Sequence, residues 1–467
     1  MNGLDVVSRG AAGRVSLARI GISAQLGRDI GDEIRASFRH AWPLVLSFMG
    51  HNFLGFVDTA MVGRLGATEL AGVAIGNGLF FTTCVLGMGL VNSLDPIVSQ
   101  AIGAGEGARA NAALRAGLKL ALLSSLLVIT LAMLSPLVLP LFGISEAIST
   151  VARDFTWARA PGAIPFVVAM ALRSYLQARG ATTAMLWGAL AANIVNLILN
   201  WLLIFGHSGL GIPALGVIGS GMASSAATAA QLGVLFYVLR RLPALAGGGD
   251  TLISLKKLVA IGLPISVTLV AEVGAFAIAG LLAGRIGAEA TAGHQVALQL
   301  ASFTFMVSMA IANATTVRVG NAVGRGDADA VRLSGWVGLG LSAAYMTVTA
   351  LGFLLFAEGL SFILSDRPEV IAVAVPLVHI AAAFQLFDGA QVVAAGALRG
   401  LGDTKSAQHA NLIGYYVLGL PVAVLLGFGL GWEEQGLWWG LCLGLAFVAL
   451  VLVRRFKKLS AGVIART

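Results

Sequence analysis

Four carboxylates interrupt otherwise apolar sequence: Asp58 in "FVDTAMVG", Asp95 in "SLDPIVSQ", Glu272 in "LVAEVGAFAIAGLLAG" and Asp388 in "AFQLFDGAQ". A carboxylate in a stretch long enough to help cross a bilayer costs about 3 kcal/mol on insertion scales, so such groups mark ion and proton pathways by default. Of the 22 acids, nine fall in segments read as inside the membrane-bounded compartment and nine in segments read as outside, which leaves these four. No Lys or Arg lies deep enough in the sequence to neutralise them directly. They are therefore expected to attract cations: protons, sodium or organic cations. A carboxylate withdrawn from water can load and release a proton.

Neighbouring residues refine that chemistry. Glu272 precedes Phe276 by four residues, and Asp388 follows Phe384 by four. Residues four apart share a helix face, so each acid can stand beside a ring suited to an organic cation. The plainer alternative is a satisfied polar residue beside ordinary core aromatics. Asp58 has His51 seven residues earlier on the same face, while Asn196 and Asn200 form an i, i+4 amide pair in "NIVNLILNW". Carboxylate and amide oxygens together suit a hard cation or a proton relay; helix-to-helix hydrogen bonding is the competing reading. Asp95, directly before Pro96, reads as a cap or gate, or as an additional proton site.

The elements that hold these groups must be membrane helices. The chain of 467 residues is 58% hydrophobic and 11% charged, with a mean hydropathy of +0.89. Soluble proteins carry roughly 25% charged residues. Twelve long apolar runs recur between about residues 38 and 455, each near the ~20 residues that span a hydrocarbon core. This predicts an all-α polytopic membrane protein. If loops alternate from a cytoplasmic N-terminus, 25 of the 30 Lys and Arg fall inside; Arg64, Arg153, Arg159, Arg285 and Arg367 fall outside. That asymmetry places both termini in the cytoplasm. The net charge of +8 thus reflects topology and not nucleic-acid binding. "RVSLARIGISAQLGRDI" reads as a disordered or misannotated N-terminal tail, with a weak interfacial helix as the alternative.

The chain is also written twice. "GRLGATELAG" (63–72) and "GRIGAEATAG" (284–293) share six of ten residues at an offset of 221. The same offset carries Pro43 onto Pro264 and "QAIGAGE" onto "NAVGRGD"; at 222, "LQARGATT" resembles "LRGLGDTK" more loosely. The division is a tail at 1–37, a six-helix lobe at 38–240, a linker at 241–256, a second six-helix lobe at 257–455 and a tail at 456–467. Six spans per half make the repeats parallel, an arrangement in which transporters place sites near the midplane and rock the halves. A covalent pseudo-dimer favours a transporter over a channel.

Signals for an enzyme are weak. There is no phosphate-binding Gly-rich loop, no HExxH and no soluble domain to carry a Ser/His/Asp set. His207, His294, His379 and His409 are scattered, and Cys84 and Cys442 read as packed thiols on no metal-ligand spacing. No nucleotide-binding domain is visible, so an ion gradient must supply the energy.

At this point the chain resembles the multidrug and toxic compound extrusion (MATE) transporters, most closely their NorM-like bacterial branch, over about residues 38–455. The resemblance lies in "GFVDTAMVGRLGATELAGVAIG", "PIVSQAIGAGE", "NWLLIFGH", "AGHQVALQLASFTFMVSMAIANATTVRVGNAVGRGD" and "AAGALRGLGDTK". It implies two pseudo-symmetric six-helix bundles in a bacterial inner membrane, exporting amphipathic organic cations against a proton or sodium gradient. It implies no cofactor and no partner beyond the bilayer and its small-molecule cargo, and the chain is expected to act as a monomer. Glu272 and Asp388 match the acidic pair of the C-terminal lobe, with Phe276, Phe305 and Phe384 expected at the cargo cavity. Asp58, Asn196 and Asn200 match the polar cluster of the N-terminal lobe, with Ser224 as a further hydroxyl. Sodium is compatible with either set. Two departures stand out. Ser308 replaces a proline frequent in relatives, and Asp95 replaces an uncharged residue, which blurs the assignment of the coupling ion. The alternative within the superfamily is a lipid-linked sugar flippase, for which a cationic cavity is expected; an intramembrane enzyme is the alternative outside it.

Overall fold

Backbone placed in hydrocarbon must satisfy its own hydrogen bonds, so each long apolar run becomes a helix. The computed structural model describes residues 5–245, 252–462 and 466. Twelve of its helical segments are long and apolar enough to cross a membrane. In the first half these are α1 (Asp29–Val62, within a helix that begins at Asp5), α2 (Ala67–Gly103), α3 (Gly107–Leu141), α4 (Glu146–Ala178), α5 (Thr183–Phe205) and α6 (Gly216–Arg241). In the second half they are α7 (Leu255–Ile286), α8 (Ala288–Arg325), α9 (Ala328–Leu364), α10 (Pro368–Leu401), α11 (Lys405–Gly429) and α12 (Glu433–Ser460).

All four sequence boundaries fall inside helices: α6 ends at Arg241, just past 240/241, and α7 begins at Leu255, just before 256/257. The 37/38 boundary lies within the helix that ends at Val62, and the 455/456 boundary lies within α12, which continues to Ser460. Polar and basic residues at these ends remain helical because backbone bonding continues past the apolar stretch. Residues 246–251 of the 241–256 linker, and residues 1–4, lie outside the described residues.

Five spans are locally irregular: α3 ends in a 3₁₀ stretch from Ser135, α9 is kinked at Phe356, and three others carry residues of the sites below. A turn at Asn92 and Ser93 divides α2 into Ala67–Val91 and Leu94–Gly103. Pro161 divides α4 at a 3₁₀ turn, Ala160–Gly162, since proline cannot donate to the helical ladder. In α11 the stretches Leu412–Gly419 and Leu425–Gly429 are π-helical, a form common near functional sites.

The internal repeat appears as repeated packing. In the first lobe α2 packs on α4, α5 on α6 and α1 on α5; in the second α8 packs on α10, α11 on α12 and α7 on α11. Contacts between lobes follow the same pseudo-two-fold relation, with α2 on α7 matched by α8 on α1, and α2 on α8 at the axis. Small residues bring these helices close. A Cβ at Gly103 would overlap the backbone of Asn321, and one at Gly324 would overlap the carbonyl of Gln100. Inter-lobe hydrogen bonds and ion pairs run from Asn52–Met306 (2.9 Å) toward the end that carries the termini. They include Ser266 Oγ to Leu86 O (2.9 Å), Gln100 Nε2 to Gly400 O (2.9 Å), and Glu33 paired with Arg318. Arg466 also bridges Glu106 (3.1 Å) and Gly324. Among the described residues none is found toward the opposite end, so the lobes are sealed at one end.

Candidate functional site

In the C-terminal lobe α7 supplies Glu272, while α10 supplies Asp388 and, one turn later, Gln391. The Gln391 amide donates through Nε2 to Glu272 Oε1 (3.2 Å) and more weakly to Asp388 Oδ1 (3.5 Å). One neutral amide therefore ties two acids together. Neither acid forms an ion pair with Lys or Arg among the described residues. Asp388 is buried, whereas Glu272 is half-buried and is the more accessible of the two. Two carboxylates without a compensating cation make a site that gains when a cation arrives.

An aromatic wall stands against this pair. Phe276 meets Phe384 edge-on at 6.0 Å between ring centres and Tyr415 at 6.2 Å. Phe384 in turn meets Trp438 at 5.9 Å, whose Nε1 donates to His294 Nδ1 (3.2 Å). Tyr415 lies in the first π-helical stretch of α11, and its buried hydroxyl has no hydrogen-bond partner among the described residues. It lies within electrostatic range of both acids. Phe384, expected at the cargo cavity, lies deeper in this wall than Phe276. It is 2% exposed and backs Phe276, which alone of the two is partly open. Phe305 is half-buried on α8 and joins none of these ring contacts among the described residues.

In the N-terminal lobe the structure does assemble Asp58, Asn196, Asn200 and Ser224. Asp58 Oδ1 accepts from Asn196 Nδ2 (2.9 Å) and Asn200 Nδ2 (2.6 Å), and Oδ2 accepts from Ser224 Oγ (2.7 Å). Asn200 Nδ2 also reaches Asn196 Oδ1 (3.0 Å). His51 is not part of this set; its ring lies 6.1 Å from Phe166 on α4. Both amides donate through nitrogen to Asp58, while Asn200 Oδ1 is buried and has no hydrogen-bond partner among the described residues.

Two of the four acids are paired, contrary to the sequence expectation. Arg159 lies 3.9 Å from Asp58, donates to Asn77 Oδ1 (2.6 Å), and sits 4.7 Å from the centre of the Phe80 ring. The expected position of Arg159 outside the membrane fails because α4 begins at Glu146, well before the apolar run does. That places Arg159 at the Pro161 break, inside the lobe. Asp95 is paired across the lobe boundary with Arg399 at the end of α10 (3.4 Å), beside Arg173, which donates to Asn92 Oδ1 (3.0 Å). Asp95 thus belongs to the sealed end. The lobes differ in charge: Asp58 has a cation beside it, while Glu272 and Asp388 share none.

Gln391, Tyr415, Trp438 and Arg159 were missed from sequence. Gln391 alone carried a signal, lying three residues after Asp388 and so on the same face. Ser308, the departure from proline, is buried and hydrogen-bonded to Ser342 (2.8 Å).

Two bundles of six membrane helices, sealed at one end and carrying buried acids, define an integral-membrane transporter built as a covalent pseudo-dimer. The MatE family model matches residues 43–202 and 264–425, once in each half. The two matches start 221 residues apart, 264 minus 43, the offset of the repeat. The chain is 34% identical over 451 residues to the probable multidrug resistance protein NorM of Rhizobium meliloti (strain 1021), covering 94% of this chain and 96% of that one. It is 37% identical over 433 residues to the protein of the same name from Deinococcus radiodurans, covering 91% and 95%. The crystal structure of the eukaryotic MATE transporter AtDTX14 superposes with a TM-score of 0.83 at 20% identity, over 92% of this chain and 98% of that one. The chain belongs to the MatE family, whose members are transporters and not enzymes.

Proposed function

We propose that this protein exports amphipathic organic cations, drugs among them, in exchange for protons or sodium. The observation that carries the reading is the pair Glu272 and Asp388, tied by Gln391 and lacking any ion-paired Lys or Arg among the described residues. Organic cation and coupling ion compete for this pair, and Phe276 offers a ring face to the organic one. The acidity of the pair argues against the anionic cargo of a lipid-linked sugar flippase. The N-terminal cluster, where Asp58 already has Arg159, serves as a hydrogen-bonded relay rather than a sodium site. The test is efflux of an ethidium-type cation from proteoliposomes under an imposed pH gradient and, separately, a sodium gradient. Export driven by one of them is expected. Export driven by neither contradicts the reading.

The charge asymmetry of the loops supports a cytoplasmic position for both termini, and hence for the sealed end. Alternating access then requires the Asp95–Arg399 seam to open. Ala104, half-buried beside Gly324 at this seam, is a suitable cysteine position. A membrane-impermeant thiol reagent is expected to label Ala104→Cys only from the cytoplasm, slowly. Removing the seam pair in Arg399→Ala should speed labelling about tenfold, the effect of about 1.4 kcal/mol on the opening equilibrium. Labelling from the periplasm alone contradicts the orientation, and an unchanged rate contradicts the role of the seam.

A further inference from the structure

A second polar feature lies apart from both acid clusters. A cavity of about 560 Å³ opens at the inner end of α1, against the turn between α4 and α5. Arg35, Arg39, His40 and Trp42 form its α1 side, and Thr182 and Thr183 face them. Asp32 also lines it and lies 3.6 Å from Arg35. Arg39 forms no hydrogen bond or ion pair among the described residues, so the cavity keeps a net positive charge. The His40 ring is held in place by Nδ1 donating to Ala36 O (2.9 Å).

The adjoining face of α1 is apolar and exposed. Ile34, Phe38, Trp42 and Leu46 follow one another at intervals of four, which lines them up along one side of the helix. Arg35 and Arg39 each follow a stripe residue directly. A basic recess next to an apolar stripe, with a Trp where the two meet, matches a phospholipid: anionic headgroup in the recess, acyl chain on the stripe. A free phosphate would use only the recess.

We propose that this recess is a binding site for the headgroup of an anionic phospholipid in the cytoplasmic leaflet. The full chain is purified in neutral detergent, exchanged into nanodiscs of phosphatidylcholine containing phosphatidylglycerol, and re-extracted; retained lipid is counted by native mass spectrometry. The parent protein is expected to retain phosphatidylglycerol in preference to phosphatidylcholine. Arg35→Gln/Arg39→Gln should weaken retention about thirtyfold, about fivefold for each charge removed near a membrane surface. Arg35→Lys/Arg39→Lys keeps the charge and should retain most of the lipid. The control Arg115→Gln/Lys119→Gln removes two exposed charges from α3 near the same end of the molecule. If the control loses as much lipid as the recess variant, attraction to the surface is diffuse and the site does not exist. If millimolar inorganic phosphate displaces the lipid or stabilises the protein equally, the recess binds small anions and the lipid assignment is wrong.

Discussion

Glu272→Gln is expected to abolish ion-driven export, lowering the rate at least about a hundredfold, with Asp388→Asn nearly as severe. A ligand shifts a conformational equilibrium only by the difference in its affinity for the two states, and a full reversal takes a preference of about 10⁴. A carboxylate closed off from water supplies that difference, because it favours a cation when occluded and is rehydrated when the cavity opens. Each substitution replaces a carboxylate by an amide of nearly the same shape. The remaining side-chain oxygen can still accept from Gln391, as the carboxylate oxygens of Glu272 and Asp388 do. Both proteins should therefore fold while lacking the charge. The measurement is efflux of an ethidium-type cation from proteoliposomes carrying equal amounts of each protein, with folding checked by gel filtration before reconstitution. If both variants export at the parental rate with the parental ion dependence, the acids are tolerated polar groups and nothing more.

Asp58→Asn is expected to reduce both stability and export, for different reasons. Three donors and the Arg159 guanidinium converge on this carboxylate. Both partners of the pair are largely buried, Arg159 at 15% and Asp58 at 5% side-chain exposure. Breaking a buried pair by removing one partner costs about 3–5 kcal/mol, since it strands the other charge. Adding Arg159→Gln removes the stranded charge, so the double variant should recover much of the lost melting temperature. Export should not recover, because the chain through Ser224, Asn196 and Asn200 no longer holds an acid. Thermal unfolding and proteoliposome efflux on the same preparations separate the two effects. Normal export by the folded double variant would make Asp58 a purely structural acceptor.

Much of this was legible in the sequence because membranes simplify the reading. Hydrocarbon demands helices about twenty residues long, so hydropathy reveals the spans, and the offset of 221 reveals the two lobes. Glu272 and Asp388 stood out because acids are rare in such runs, and Asn196 and Asn200 because their spacing puts them on one face. What stayed hidden depends on tertiary position. Arg159 lies close to a proline at what looks like the start of a span, and only the longer α4 brings it to Asp58. Tyr415 comes toward the acid pair from a π-helical stretch of α11 that no periodicity announces, and Trp438 meets Phe384 from α12. Arg399 ends its own helix and pairs across the lobe boundary, a contact that the sequence of one lobe cannot encode.

The central claim is that organic cation and coupling ion exchange at Glu272 and Asp388. The most direct test is the number of ions released when the purified protein binds an ethidium-type cation in weakly buffered solution, with protons followed by a pH indicator and sodium by a sodium electrode. The parent protein is expected to release protons or sodium in proportion to the cation bound, and Glu272→Gln to release markedly fewer. Binding by the parent protein with no release of either ion, or undiminished release from Glu272→Gln, would contradict it.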